Sequence, residues 1–164
     1  MCEAADEGLA ESKVQSVIRH IPGHGRALVD SHLELPVVSI DLKTLLETDF
    51  KVFQQLGAMK LAMTAHVVFT AIDDEVLVTL SKKAIDFIKR DRDITFNGLI
   101  ITDALDIKAL RGGIGEMTQK ASTSGCDILL YCRADLKGVK VVLQHGHGLK
   151  YHIIERVKSF NCFC

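Results

Sequence analysis

The sequence predicts an α/β fold built on a parallel sheet, and three observations carry that prediction. Short, almost wholly apolar runs alternate with amphipathic stretches in the order βαβαβαβα. Runs without polar alternation are expected where helices cover both faces of a sheet. The polar residues His20, His66 and Asp103 each fall at the C-terminal end of such a run. Right-handed connections leave either an open doubly wound sheet or part of a (β/α)8 barrel, and both place strand ends of this kind at the ligand-binding edge.

Residues 1–12 are polar and acidic and are expected to be disordered, with a domain over 13–160 and a tail over 161–164. The first strand runs from Lys13 to His20 and opens into a loop reaching about Pro36. Ser39-Ile40-Asp41 then supplies capping residues. Leu45, Leu46, Phe50, Phe53 and Leu56 recur at helical spacing from Leu42 to Leu56, and Gly57 ends that helix. Met59–His66 is the second strand. Leu80-Ser81 caps a helix from Lys82 to about Arg92, with Ala84, Ile85, Phe87 and Ile88 facing inward. Phe96-Asn97-Gly98 turns into the third strand, Leu99–Thr102, which delivers Asp103. A short helix over Ala104–Leu110 and another over Glu116–Ser124, stopped by Gly125, precede the fourth strand, Asp127–Cys132. Two weaker helical stretches, about 136–144 and 149–158, complete the chain.

The loop after the first strand gathers the chemistry. Arg19-His20-Ile21-Pro22-Gly23-His24-Gly25 is closed by Asp30-Ser31-His32, which places three imidazoles and a carboxylate within 13 residues. Loops set on a rigid strand are where catalytic groups concentrate. A carboxylate such as Asp30 can fix the tautomer of a nearby imidazole such as His32 and raise its basicity. The same run also fits a polar turn with solvated histidines. Asp103 equally fits an N-cap, and His20 and His66 fit hydrogen-bonded residues at the edge of a core. Pro22-Gly23-His24-Gly25 reads as a segment that shapes the loop.

Composition removes several function classes. With a formal net charge of −1 and acidic and basic residues mixed throughout, there is no basic stripe to bind nucleic acid. Lys82-Lys83 and Lys89-Arg90 form the solvated face of a helix. No apolar run approaches the roughly 20 residues that cross a bilayer, and the acidic N-terminus lacks the form of a signal peptide, so a cytoplasmic location is expected. The 5 cysteines do not have the spacing of a disulfide framework; Cys126 and Cys132 read as reduced core residues. No GxGxxG or phosphate-loop pattern follows a strand. His145-Gly146-His147-Gly148 falls short of the three protein ligands of an ordinary catalytic zinc site. A metal-dependent hydrolase using His20, His24, His66 and Asp103 stays open on residue types alone.

With these residues placed, the chain resembles the family 3 glycoside hydrolases, specifically the bacterial β-N-acetylglucosaminidase (β-hexosaminidase) branch. That family carries Lys-His-Phe-Pro-Gly-His-Gly followed by Asp-Ser-His, and Arg19–Gly25 with Asp30–His32 repeats the pattern at the same spacing. Met63–His66, Phe96–Leu105 and Ser124–Asp127 continue it in colinear order over residues 14–135. The resemblance implies four parallel βα units, corresponding to half of a (β/α)8 TIM barrel. It also implies retaining hydrolysis of terminal N-acetylglucosamine from peptidoglycan fragments, a cell-wall recycling activity, with no metal and no cofactor. Asp103 falls on the nucleophile, His32 on the general acid/base and Asp30 on its orienting partner, while Arg19, His20 and His66 fall on the sugar-binding side. Arg19 replaces the family's usual Lys, and a planar guanidinium is not equivalent to an ammonium. A full barrel takes roughly 250 residues, so a first half-barrel, carrying a sugar-binding Asp and Arg, has no counterpart here. The chain therefore reads as a truncated frame or split gene, whose partners are a separate N-terminal half or a second copy of itself. The alternative from another class is an inactive remnant or subunit.

Overall fold

The computed structural model describes residues 2–31, 33–90, 94–107, 110, 112–133, 135–148 and 151–160. In chain order these form α1 (Cys2–Glu11), β1 (Ile18–Ile21), β2 (Val37–Val38), α2 (Leu42–Glu47), α3 (Lys51–Gln55), β3 (Leu61–Thr64) and β4 (Val68–Phe69). A 3-10 turn at Val78–Leu80, α4 (Lys82–Arg90), β5 (Leu99–Ile101), α5 (Ile114–Ser124), α6 (Leu136–His145) and α7 (Tyr151–Lys158) follow. β1, β3 and β5 form a parallel sheet in that spatial order, with Ile18 opposite Ala62 and Leu61 opposite Leu99. The expected parallel α/β class is therefore present.

The fourth expected strand is reduced to a single parallel bridge between Ile101 and Ile128. Side chains take the places of backbone partners on either side of it. The Ile100 amide donates to Asp127 Oδ2 at 2.8 Å, and the Leu130 amide donates to Thr102 Oγ1 at 2.8 Å. A ladder whose acceptors are side-chain oxygens cannot continue as a regular strand. Lys89 reinforces this corner, bonding Asp127 Oδ2 at 2.9 Å and the Gly125 carbonyl at 2.8 Å.

Three further expectations are corrected. Residues Cys2–Glu11 are helical, where the sequence was expected to be disordered. Ala4, Ala5, Leu9 and Ala10 are strong helix formers, and the Ser16 hydroxyl donates to the Asp6 carboxylate, tying α1 to the chain just before β1. The single helix expected over Leu42–Leu56 is broken into α2 and α3 at Thr48–Phe50. Arg26 reaches across from the first loop to Asp49 Oδ2 at 2.5 Å and Thr48 Oγ1 at 3.2 Å, which holds that junction outside helical geometry. The stretch after Asp103 is a series of turns among its described residues, closed by Ile107 N–H to Ala104 at 3.3 Å, instead of a helix. The short parallel pair β2–β4, Val37 opposite Val68, was not foreseen.

The caps match their expected roles. Asp41 accepts from the Thr44 amide at 2.9 Å to start α2, and Gly125 ends α5 at a left-handed φ of 108°. Phe50 sits in the main core, edge-on to Phe69 at 5.1 Å, with Ile21, Ile85, Phe96 and Ile100 in the same cluster. Cys126 is buried there and burial pushes its thiol up to about 12, so it stays protonated as expected. Cys132 is exposed, which corrects its assignment to the core. Cys162 and Cys164 lie outside the described residues.

Ser81 begins α4 and joins it to a buried carboxylate. Its Oγ accepts from the Ala84 amide at 3.1 Å and donates to Asp73 Oδ2 at 2.6 Å. Burial raises the Asp73 carboxyl, but the Ser81 hydroxyl, the Glu75 amide, the Lys83 charge and the Val76 amide outweigh it and hold it below the ordinary carboxylate value. A depressed folded-state pKa contributes stability that is present above the unfolded value of about 3.9 and is lost as pH falls through the folded value. Ser81→Ala removes a cap and a hydrogen bond to a charge, so it should cost roughly 2–3 kcal/mol at pH 7. Urea midpoints should show that cost shrinking by pH 3; an equal cost at both pH values would detach Asp73 from Ser81.

Candidate active site

Because β1, β3 and β5 are parallel and adjacent, their C-terminal ends lie on one edge of the sheet. β1 ends at Ile21, just past His20; β3 ends at Thr64, two residues before His66; β5 ends at Ile101, two before Asp103. The topology thus brings together the three polar residues that the sequence placed at strand ends. The Arg19–His20 and Ile21–Pro22 peptide bonds are both cis.

His20 Nε2 lies 3.6 Å from Asp103 Oδ2. The Asp103 side chain is 14 % exposed and that of His20 29 %, so the pair opens to solvent from an otherwise buried edge. The Ala104 amide donates to Asp103 Oδ1 at 2.8 Å, which orients the carboxylate and leaves Oδ2 as the oxygen turned to His20. Burial lowers the His20 pKa; the Asp103 charge opposes this, while His24, Arg19 and His66 lower it further. The net effect holds the His20 pKa below its ordinary value, so its neutral form is favoured beside Asp103.

His24 packs its ring 5.4 Å from that of His20, so the Pro-Gly-His-Gly segment contributes an imidazole as well as a turn. Arg19 is exposed on β1, within electrostatic reach of His20. The Asp30 carbonyl accepts from the Leu33 amide at 2.9 Å and the Glu34 amide at 3.0 Å, so Asp30 heads a turn on the exposed loop. His32 lies outside the described residues. Cys132 borders the site: its amide donates to Asp106 Oδ1 at 3.0 Å, and burial, Asp106 and Asp103 all raise its thiol pKa.

His66 faces inward. It is fully buried, with Nδ1 2.7 Å from Thr79 Oγ1 and Nε2 3.0 Å from the Ala104 carbonyl. With both ring nitrogens engaged by protein groups, it touches the backbone of the Asp103 loop and is neither a metal ligand nor turned toward the opening. No group of three or more His, Cys, Asp or Glu among the described residues is arranged to hold a metal. Two contributors were missed. Thr64, which accepts from the Asp103 amide at 3.2 Å, was signalled as a lone hydroxyl in an apolar strand. Thr79 carried no local signal, since the loop between it and His66 only closes in three dimensions.

Acidic and imidazole groups at the C-terminal ends of adjacent parallel strands occupy the edge where α/β domains carry their ligand sites. The chain belongs to glycosyl hydrolase family 3: the model of that family's N-terminal domain matches residues 1–159. It is 35 % identical over 156 residues to a β-hexosaminidase of Actinobacillus pleuropneumoniae serotype 3, covering 92 % of this chain and 44 % of that protein. Among solved structures, NagZ from Neisseria gonorrhoeae in complex with N-trifluoroacetyl-D-glucosamine superposes with a TM-score of 0.81 at 29 % identity, over 96 % of this chain and 45 % of that one. A family 3 β-N-acetylglucosaminidase from Paenibacillus sp. FPU-7 superposes at 0.80 with 26 % identity, over 96 % of this chain and 32 % of that one. The chain thus spans less than half the length of each of these three relatives.

Proposed function

We propose that this chain carries the nucleophile-bearing half of a retaining β-N-acetylglucosaminidase that removes terminal N-acetylglucosamine from peptidoglycan fragments in the cytoplasm. The observation that supports it best is the partly exposed Asp103 carboxylate, oriented by the Ala104 amide and set 3.6 Å from His20. In this reading Asp103 Oδ2 attacks the anomeric carbon, and His32 protonates the departing glycosidic oxygen. The covalent glycosyl-enzyme is then hydrolysed by water, whose proton His32 accepts. Asp30 stabilises the charged form of His32. Arg19 and neutral His20 hold sugar hydroxyls. The four βα units form half of a (β/α)8 barrel, bounded by β1 and the Ile128 segment. The other half of the barrel completes the sugar site. No helix among the described residues is long and apolar enough to cross a membrane.

The test is hydrolysis of 4-nitrophenyl N-acetyl-β-D-glucosaminide by this chain alone and with the N-terminal half of a relative supplied in trans. Little turnover alone and clear turnover with the added half is the expected result. Inactivity in both arms would make the chain a remnant and overturn the assignment.

A further inference from the structure

Thr64, His66 and Thr79 are polar side chains with no exposed surface, joined to one another and to the backbone of Asp103 and Ala104. Their contacts run as a closed circuit. The Asp103 amide donates to Thr64 Oγ1 at 3.2 Å; Thr64 Oγ1 lies 2.8 Å from Thr79 Oγ1; Thr79 Oγ1 lies 2.7 Å from His66 Nδ1; and His66 Nε2 lies 3.0 Å from the Ala104 carbonyl. The circuit begins and ends on the two residues that set the carboxylate.

The chemistry of the partners fixes the direction of each bond. A carbonyl only accepts, so His66 Nε2 carries a proton toward Ala104. Burial favours the neutral imidazole, which leaves Nδ1 as an acceptor. Thr79 must then give its one hydroxyl proton to Nδ1. Its oxygen is free to accept from Thr64, whose own oxygen already accepts the Asp103 amide. In this order each of the four contacts has one donor and one acceptor. Ala65's carbonyl, 3.3 Å from Thr79 Oγ1, is the acceptor the hydroxyl turns to if a proton occupies Nδ1. The circuit is satisfied in one sense and disrupted by removing any member.

We propose that Thr79 and His66 are positioning residues for Asp103. They hold the two-residue segment Asp103–Ala104 at its outer groups, the Asp103 N–H and the Ala104 C=O, and so fix the backbone from which the Ala104 amide orients Oδ1. The proposal rests on the reading of Asp103 as nucleophile for its catalytic meaning, but not for its structural content. Misplacing a reacting group by about 1 Å can cost on the order of a hundredfold in rate.

Ring ¹⁵N spectra of this chain, with amide hydrogen exchange, test it. Wild-type His66 should show Nε2 protonated and Nδ1 bare. Thr79→Val, which keeps shape and removes the hydroxyl, should shift the Nδ1 resonance and speed Asp103 amide exchange at least tenfold. Thr79→Ser should restore both. In the two-part glycosidase assay Thr79→Val should lower kcat roughly ten- to a hundredfold with KM within about twofold. A wild-type His66 protonated on Nδ1, or Asp103 exchange unchanged in Thr79→Val, would overturn the proposal. If Thr79→Val fails to fold, the wild-type tautomer and the Thr79→Ser exchange still decide. A wild type without turnover but with the expected spectra would remove the glycosidase reading alone.

Discussion

Asp103→Asn, assayed with the N-terminal half in trans, should abolish turnover while leaving the domain folded. An amide is not an anionic nucleophile, so no glycosyl-enzyme can form. The rest of the corner tolerates the change: the side-chain oxygen of Asn can still accept from the Ala104 amide, which now holds Asp103 Oδ1 at 2.8 Å. The Asp103 amide bond to Thr64 is untouched because it belongs to the backbone. Loss of a group that makes the covalent bond itself is expected to lower kcat on the order of 10⁴-fold or more, about 5 kcal/mol of barrier. The thermal midpoint should stay within about 3 °C of wild type, a change of no more than about 1 kcal/mol for a chain of this size. Retention of more than about a hundredth of wild-type kcat would show that another group attacks the sugar.

The separation between what was legible and what was not follows the range of the interactions. His20, His66 and Asp103 were placed on one edge from strand order alone, because parallel neighbours share the direction in which they end. Caps at Asp41 and Ser81 were legible because their partners lie three residues on. Arg26, in contrast, breaks the helix at Thr48–Asp49 from more than 20 residues away. Thr102 and Asp127 interrupt the last strand by bonding amides of another segment. Each is a side chain competing with a regular backbone ladder, and local periodicity does not record such competition. The same limit hid the direction of His66. A histidine just past a strand end looks alike whether it faces the opening or the core, and Thr79 decides it from 13 residues away.

Gly98→Ala should destabilise the domain severely for a change of one methyl, because three neighbours already occupy the space that methyl needs. A Cβ at Gly98 would lie 2.6 Å from both the Lys60 and the Met59 carbonyl oxygens and would overlap the ring end of Phe96. Phe96 is 1 % exposed and wedged in the core, so its ring has nowhere to retreat. The two carbonyls are backbone at the entrance to β3, and Lys60's accepts the Leu99 amide at 2.8 Å, the bond that starts the β3–β5 pairing. Relief of the clash must therefore push β5 away from β3 and lengthen that bond. Overpacking costs about 1–3 kcal/mol and a lost hydrogen bond about 1 more, so a loss of roughly 3 kcal/mol and a fall in thermal midpoint of about 6–12 °C are expected. Gly8→Ala supplies the opposite control, since Gly8 lies within α1 with nothing inside 4 Å of its Cβ position. There the same methyl should stabilise by roughly 0.5–1 kcal/mol through helix propensity. Thermal melts of the two variants side by side decide the matter: a Gly98→Ala midpoint within about 2 °C of wild type would show that the β3–β5 register does not depend on the missing side chain.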